Sequence, residues 1–246
     1  MISKKQNRTV IISGSSKGLG SYTTRYLAKN GFNVVINYNT HKKDAEALSK
    51  DLSQYTSVKV LKGDVSKFEN VKSIVKKSIN EFGSVDVLVN NAGIHIDNTV
   101  LNMDNTSWKK VIDTNLTGTF NFCKAVLPQM KKQHYGRIIN IASFTGLVGI
   151  PGAANYAASK AGVIAFSKSL AKEVAKFGIT VNAIAPGYFE IGMFKDLDKK
   201  FQKKILSDIP AERLGKPKEI SELIKILISA SYLTGQVFVL DGGYSA

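Results

Sequence analysis

"RTVIISGSSKGLGSYTTRYLAKN", residues 8–30, runs from a β-branched apolar segment through a glycine-rich turn into a helical pattern. "RTVIIS" (8–13) reads as a buried strand, and the helix reaches about Asn30. Between them Gly14, Gly18 and Gly20 follow a G-x-x-x-G-x-G spacing rather than G-x-G-x-x-G. Glycines admit backbone turns closed to other residues and let a phosphate approach the chain. The helix behind them offers unpaired N–H groups and the positive end of its dipole. A glycine turn in the first strand–turn–helix is where a doubly wound sheet binds a dinucleotide. Ser16, Lys17 and Leu19 lie inside this loop and join the glycines as candidate cofactor contacts.

Outward from that turn the unit repeats. "NVVINY" (33–38), "VKVLKGDV", "VDVLVNNAG", "GRIINIAS", "ITVNAIAPG" and "GQVFVLDGG" read as strands or strands with their turns. Amphipathic segments separate them, among them a long helix over roughly 104–132 and a helix carrying Tyr156. Continuous apolar strands alternating with helices predict an α/β chain, one doubly wound Rossmann-type domain over 1–246. Its parallel sheet has about seven strands, with helices on both faces. The polar stretch near 188–212 is expected to form a substrate lid.

The end of the second strand bears on the cofactor. An acidic residue there would bond a free ribose 2′-OH and repel a 2′-phosphate. Here Asn37 and Tyr38 close the strand, and "NTHKKDAE" follows, with no carboxylate before Asp44. Lys17 in the loop, with Lys42 and Lys43 after the strand, favours NADP(H). Lys42 and Lys43 also fit an ordinary solvated helix start.

The 246 residues carry 34 Lys+Arg against 19 Asp+Glu, a net charge of +15. The lysines are scattered and form no stripe interleaved with aromatics. Nucleic acid is therefore not the expected partner; an anionic cofactor or substrate is. Apolar runs fall short of a membrane span, so no membrane role is expected. The polar start "MISKKQN" lacks a signal-peptide h-region, and Cys123 is the only cysteine; a cytoplasmic setting is the default expectation. His41, His95 and His134 show no ligand spacing, and no metal is expected. Cys123 and Trp108 read as helix packing. Lys195, Lys199, Lys200, Lys203 and Lys204 read either as a solvated helix face or as an electropositive lid for an anionic handle.

"ANYAASKAG" (154–162) places Tyr156 and Lys160 at i and i+4, on one helix face. A cation within a few ångströms favours phenolate and would bring the tyrosine toward working pH. Asn115 lies within the long helix, an unfavourable place for asparagine.

"SGSSKGLG", "NNAG" (90–93), Asn115, Ser143, Tyr156-Ala-Ala-Ser-Lys160 and "APG" (185–187), in this order, resemble the classical short-chain dehydrogenase/reductase family from end to end. "GRIINIAS", "KSLAKEVAKFGITVNAIAPG" and "LDGG" are similar to its bacterial-type 3-oxoacyl-acyl-carrier-protein reductases and acetoacetyl-CoA reductases. The resemblance implies that Tyr156 is the acid–base and that Lys160 tunes it and holds the nicotinamide ribose. It implies that Ser143 holds the substrate oxygen, and that the Asn115 main chain binds a water linking Lys160 to solvent. It also implies adenine contacts at Asp64 and Val65, and cofactor contacts at Asn91, Ala92 and Gly93, with Asn90 beside the adenosine ribose. Pro186, Gly187 and Phe189 would shape the nicotinamide pocket, with Ile184 against the ring. The implied activity is NADPH-dependent reduction of a 3-oxoacyl thioester of CoA or acyl-carrier protein by a homotetramer. The alternatives are a reductase of a sugar, steroid or xenobiotic ketone, and a silent dinucleotide-binding scaffold.

Three departures stand out. Ser13 replaces the usual threonine before the first glycine, and Ile191 stands where a threonine commonly follows "PG". Gln133 or His134, and Phe177, occupy places where carrier-protein reductases carry arginines, which favours a CoA thioester or another 3-oxo substrate.

Overall fold

The computed structural model describes residues 7–192, 194 and 198–246. The polar start at 1–6 and Lys195 lie outside them. Seven strands form one all-parallel sheet: β1 (Thr9–Ile12), β2 (Asn33–Tyr38), β3 (Val58–Lys62), β4 (Val87–Asn90), β5 (Gly136–Ile141), β6 (Ile179–Pro186) and β7 (Val237–Leu240). Their spatial order is β3-β2-β1-β4-β5-β6-β7. The order reverses between β1 and β4, which opens a crevice at the carboxyl ends of those strands.

Side-chain alternation decides which helices cover which face. Val10, Ile12, Val34, Ile36, Val89 and Ile139 point to one side. They meet Leu27 of α1 (Gly18–Lys29), Leu48 of α2 (Lys42–Leu52) and Ile224 of α9 (Pro217–Ser229). Ile11, Val35, Leu88 and Ile138 point to the other side. There they pack on Ile74 of α3 (Phe68–Phe82), Phe122 of α5 (Gly118–Lys132) and Leu170 of α7 (Ala154–Val174). Because both faces are covered, the strands read as continuous apolar runs rather than alternating ones.

The long helix expected over 104–132 is three pieces. α4 (Asn105–Ile112) passes through a π-helical segment, Asp113–Thr117, into α5. A π-bulge shifts the helix face by one residue and often marks a functional site. Here it carries Asn115. Trp108 is on α4 as expected, but its side chain is 42% exposed and is not core packing. Two short helices complete the described chain, α6 (Thr145–Val148) and α8 (Lys199–Asp208), the latter in the expected lid region.

The β1 and β4 ends are stitched together by Ser13. Its hydroxyl accepts the N–H groups of Asn91 and Ala92, each at 3.0 Å, while its own N–H donates to the Val89 carbonyl. The Asn91 side-chain amide returns to the carbonyls of Ser13 (3.0 Å) and Gly14 (3.1 Å). Ser13→Ala leaves two backbone donors without an acceptor, a cost of roughly 1–3 kcal/mol. We expect a matching drop in the urea midpoint with an unchanged m-value; an unchanged midpoint would contradict this role for the hydroxyl.

Candidate active site

Two of the three loop glycines are demanded by close packing, and the third faces open space. Gly14 sits at φ +60°, and a Cβ there would lie 2.8 Å from the Ala92 Cα. Gly20 would put a Cβ 2.5 Å from the Asn91 amide. Gly18, at φ +59°, faces open space. Lys17, extended at the α1 N-cap, makes no side-chain cap, and no acid occupies the first turn. No side chain caps the leading N–H groups of α1, which leaves them for an anionic group such as a pyrophosphate. On this observation the residues present fit a dinucleotide.

Asn37 holds the loop from beneath. Its Oδ1 accepts from Gly14 N–H at 3.2 Å, and its amide donates to the carbonyls of Leu61 and Gly63. Fully buried, it fixes the cradle rather than lining it. Tyr38 is likewise a core residue. At the adjoining mouth the Lys17 Nζ lies 3.0 Å from His41 Nε2, and His41 Nδ1 lies 2.9 Å from Thr40 Oγ1. Lys42 opens α2 and pairs with Glu46, which is the ordinary helix-start reading of that lysine. Asp64 uses one carboxylate oxygen to accept from the N–H and hydroxyl of Ser66, and the Val65 carbonyl accepts from the Asn121 amide. Asn90 is turned inward, donating to Asn140 Oδ1 at 2.8 Å, so its side chain does not lie at the expected ribose position. Phe189 is also inward: it belongs to the α9-side core and its ring packs on Gly215. Ile184 is buried in the same core.

α7 carries the reactive group. Tyr156 and Lys160 stand one turn apart, with the Lys160 ammonium 5.6 Å from the Tyr156 ring centre. Lys160 is 4% exposed and donates to the Ile141 carbonyl at 2.7 Å. Asn115 joins from the π-segment. Its Oδ1 accepts from Ile94 N–H at 2.8 Å, and its amide donates to the Ile94 carbonyl and to Ser159 Oγ. The Asn115 carbonyl accepts from the Thr119 hydroxyl at 2.7 Å. Gly93 keeps the floor low, since a Cβ there would touch Asn115 Oδ1 and Lys160 Nζ at 3.4 and 3.5 Å. Pro186 ends β6, and its carbonyl accepts from Phe144 N–H, next to Ser143. Gly187 admits no side chain, because Asp241 would lie 2.6 Å from its Cβ.

One expectation needs correction. Lys160 was expected to bring the Tyr156 hydroxyl toward working pH. Burial instead pushes Tyr156 up to about 12, with the Ser143 hydroxyl pulling it down and Asp97 adding to the rise. Burial also lowers Lys160 to about 8. The pair shares a desolvated site, so the ammonium is itself destabilised and is spent on the Ile141 carbonyl.

Two positioning residues escaped the sequence reading. Asn155 accepts from Tyr156 N–H at 2.7 Å and donates to the Ile96 carbonyl. Ser159 donates to the Tyr156 carbonyl while accepting from Asn115. The available signal was a polar residue repeating on the buried face of an otherwise small-residue helix.

A phenol that stays protonated at neutral pH is the acid that carbonyl reduction requires. Beside a dinucleotide cradle, it defines an oxidoreductase that interconverts C=O and CH–OH with a nicotinamide dinucleotide. The model of the short chain dehydrogenase family matches residues 8–202, and the chain belongs to that family. It is 42% identical over 240 residues to a Staphylococcus epidermidis protein named 3-oxoacyl-[acyl-carrier-protein] reductase FabG, covering 96% of this chain and 98% of the relative. A Staphylococcus aureus protein of the same name is 41% identical over 242 residues, covering 97% and 98%. A Chlamydia muridarum one is 42% identical over 241 residues, covering 96% and 97%.

The buried ammonium yields a test. A folded-state lysine near 8, against 10.5 when unfolded, costs stability wherever the unfolded chain holds the proton. That cost, on the order of 3 kcal/mol, is fully present below pH ~8 and fades by pH ~10.5. Lys160→Met keeps most of the volume without the charge. It should unfold at a higher temperature than the parent at pH 6–7, with the gap closing toward pH 10, while turnover falls at least ~10²-fold. A variant less stable than the parent at pH 6–7 would contradict the desolvation account.

Proposed function

We propose that the chain reduces 3-oxoacyl thioesters with NADPH, using Tyr156 as the acid, Ser143 as the hydrogen-bond donor to the substrate oxygen, and Lys160 and Asn115 as the route that restores the proton. The observation that carries this reading is the buried Tyr156 hydroxyl beside Ser143 and one turn from Lys160, next to an uncapped glycine cradle. The cofactor, when bound, supplies the hydride to the carbonyl carbon. Tyr156 then gives its proton to the substrate oxygen, on which negative charge builds, and Ser143 shares that charge. The Lys160 ammonium, 5.6 Å from the Tyr156 ring centre, would favour the ionised tyrosine through its charge. Tyr156→Phe removes only the proton. It should retain nicotinamide-dinucleotide affinity by fluorescence titration while losing at least ~10²-fold in kcat. Near-normal turnover by the purified variant would sink the assignment.

The 2′-phosphate preference rests on Lys17 and on the absence of a carboxylate before Asp44. Lys17 is exposed at the cradle mouth, within reach of a phosphate on the adenosine ribose. kcat/KM should favour NADPH over NADH in the parent, and Lys17→Ala should narrow the gap. Preference for NADH in the parent would refute this reading of the second strand end.

The handle is a carrier protein rather than CoA alone. The three curated relatives are named for carrier-protein substrates. The structure also supplies cations near the places where arginines are missing. Lys131 and Lys176 both lie over the Phe177 ring, at 4.3 and 5.3 Å. Gln133 is spent capping α5 against the Val85 and Tyr135 carbonyls. The α8 lysines Lys199, Lys200, Lys203 and Lys204 add an exposed basic face. Lys131→Glu with Lys176→Glu should raise KM for a carrier thioester at low salt and leave KM for acetoacetyl-CoA nearly unchanged. Equal effects on both substrates would return the preference to CoA.

Assembly as a homotetramer completes the proposal. Phe120 on α5 is 44% exposed, and Val239 on β7 is 46% exposed. A groove of about 630 Å³ between α5 and α7 is lined by Phe120, Leu127 and Phe166. Two-fold packing of these helices and of the β7 edge would cover both surfaces.

A further inference from the structure

Two helix starts meet through their side chains at the mouth of the glycine cradle. Lys17 is the N-cap of α1 and His41 the N-cap of α2, and neither side chain caps its own helix. Serine, threonine, aspartate or asparagine would serve better at both places. The two side chains instead reach each other across 24 residues of sequence, with Lys17 Nζ 3.0 Å from His41 Nε2. On the other side of the ring, His41 Nδ1 lies 2.9 Å from Thr40 Oγ1. All three residues are exposed, so packing does not account for the contact.

Donor chemistry fixes the state of the ring. A lysine ammonium has three donors and no acceptor. His41 Nε2 must therefore accept, which leaves the ring proton on Nδ1 to donate to the Thr40 hydroxyl. The imidazole is neutral in this arrangement. A protonated ring would turn an N–H toward the ammonium and set two donors and two positive charges 3.0 Å apart. An anion between them removes that conflict. A phosphate monoester has three strong acceptor oxygens and close to two negative charges at neutral pH, whereas a ribose hydroxyl has no charge.

The charged groups on the surrounding elements leave the ring to Lys17. Lys42 and Lys43 follow His41 in α2, with Lys42 paired to Glu46, and Asp44 is exposed in the same first turn. Lys62 ends β3 in register with Tyr38, and Asp64 beyond it is bound to Ser66. Arg25 of α1 and Asp51 of α2 pair with each other further along the two helices. Among the described residues, the ring's partners are Lys17 and Thr40, and no carboxylate pairs with it. The mouth lies where the first strand–turn–helix meets the end of β2, the place at which the adenosine ribose of a dinucleotide is read.

We propose that His41 takes up a proton when a 2′-phosphorylated cofactor binds, so that the choice between NADP(H) and NAD(H) is coupled to pH. His41 Nε2 gains a proton from solvent and donates it to one phosphate oxygen, while the Lys17 ammonium turns from the ring to another; Nδ1–H keeps its bond to Thr40. The coupling is reciprocal: a phosphate that favours the protonated ring is itself favoured by protons. Imidazole changes charge between pH 5 and 8, which puts the effect in the working range.

The inference rests on the proposed preference for NADPH, and its test reads binding rather than turnover. NADP+ and NAD+ are titrated into the cofactor-free protein by calorimetry at pH ~7.5, in two buffers of different ionisation heat, so that proton uptake appears as a buffer-dependent heat. A phosphate monoester loses its second proton near pH ~6, so uptake at this pH reports the protein. NADP+ should draw in a fraction of a proton and NAD+ none. The preference for NADP+, taken as the ratio of dissociation constants, should fall several-fold from pH 7 to pH 8, with ~10-fold as the limit for one linked proton. His41→Gln should bind NADP+ more weakly, with no uptake and a flat pH profile. His41→Lys, charged throughout this range, should restore the preference without the uptake or the slope. An NADP+ preference with no proton uptake would overturn the inference and leave the cofactor reading standing, and uptake that survives in His41→Gln would overturn it as well. Tighter binding of NAD+ by the parent would refute the cofactor reading and this inference with it.

Discussion

The hydrogen bond from the Lys160 ammonium to the Ile141 carbonyl is the constraint around which the site is assembled. It joins the end of β5 to the first turns of α7, and it places a charge where water cannot solvate it. A buried charge with one partner is an unfavourable arrangement that folding must offset elsewhere. The offset is visible as a dense set of satisfied polar groups around it. Asn115 ties the π-segment to Ile94, Ser159 ties Asn115 to Tyr156, and Asn155 ties Tyr156 to Ile96. Each bond restricts the tyrosine further, so the site holds its geometry before any ligand arrives.

Much of this was legible in the sequence. The sheet could be read because its strands, buried on both faces at the centre, leave continuous apolar runs, and the glycine loop because only glycine fits beside Ala92 and Asn91. Tyr156 and Lys160 share a helix face as their spacing implied, and Asn115 and Ser143 lie beside them as the family resemblance implied. What failed to read depended on where side chains turn at strand ends. Asn37, Asn90 and Phe189 sit where cofactor contacts were expected, yet all three are buried and hold the scaffold. Sequence position fixes the end of a strand but not the face that a residue shows there, because a one-residue change of phase exchanges core for cleft.

The π-segment illustrates the same limit from the other side. Asparagine inside a helical pattern was an anomaly in the sequence, and the bulge resolves it. The helix gains a residue between α4 and α5, Asn115 turns toward Ile94, and its carbonyl accepts from the Thr119 hydroxyl. The tyrosine's protonation could not be read at all. A Tyr-x-x-x-Lys pair at exposed positions would lower the phenol's pKa through the cation; burial of both members reverses that balance. The sign of the shift depends on desolvation, which the linear pattern does not record.

The site and its surroundings rest on two kinds of structure. Tyr156 and Lys160 stand on α7 and Ser143 just after β5, elements whose backbones are fixed by the sheet. The aromatic rings of Tyr188 and Tyr244 stand on a turn and a tail, held by local bonds to Asp241, Gly187 and Ala211. Exchanging a tail ring costs a few contacts and leaves the sheet untouched, whereas exchanging Lys160 disturbs the centre of the fold. A scaffold arranged in this way can vary its turns and tail without rebuilding the groups on α7. The two kinds of structure meet at one peptide: Phe144 N–H donates to the Pro186 carbonyl, so the turn after β6 is fastened one residue from Ser143.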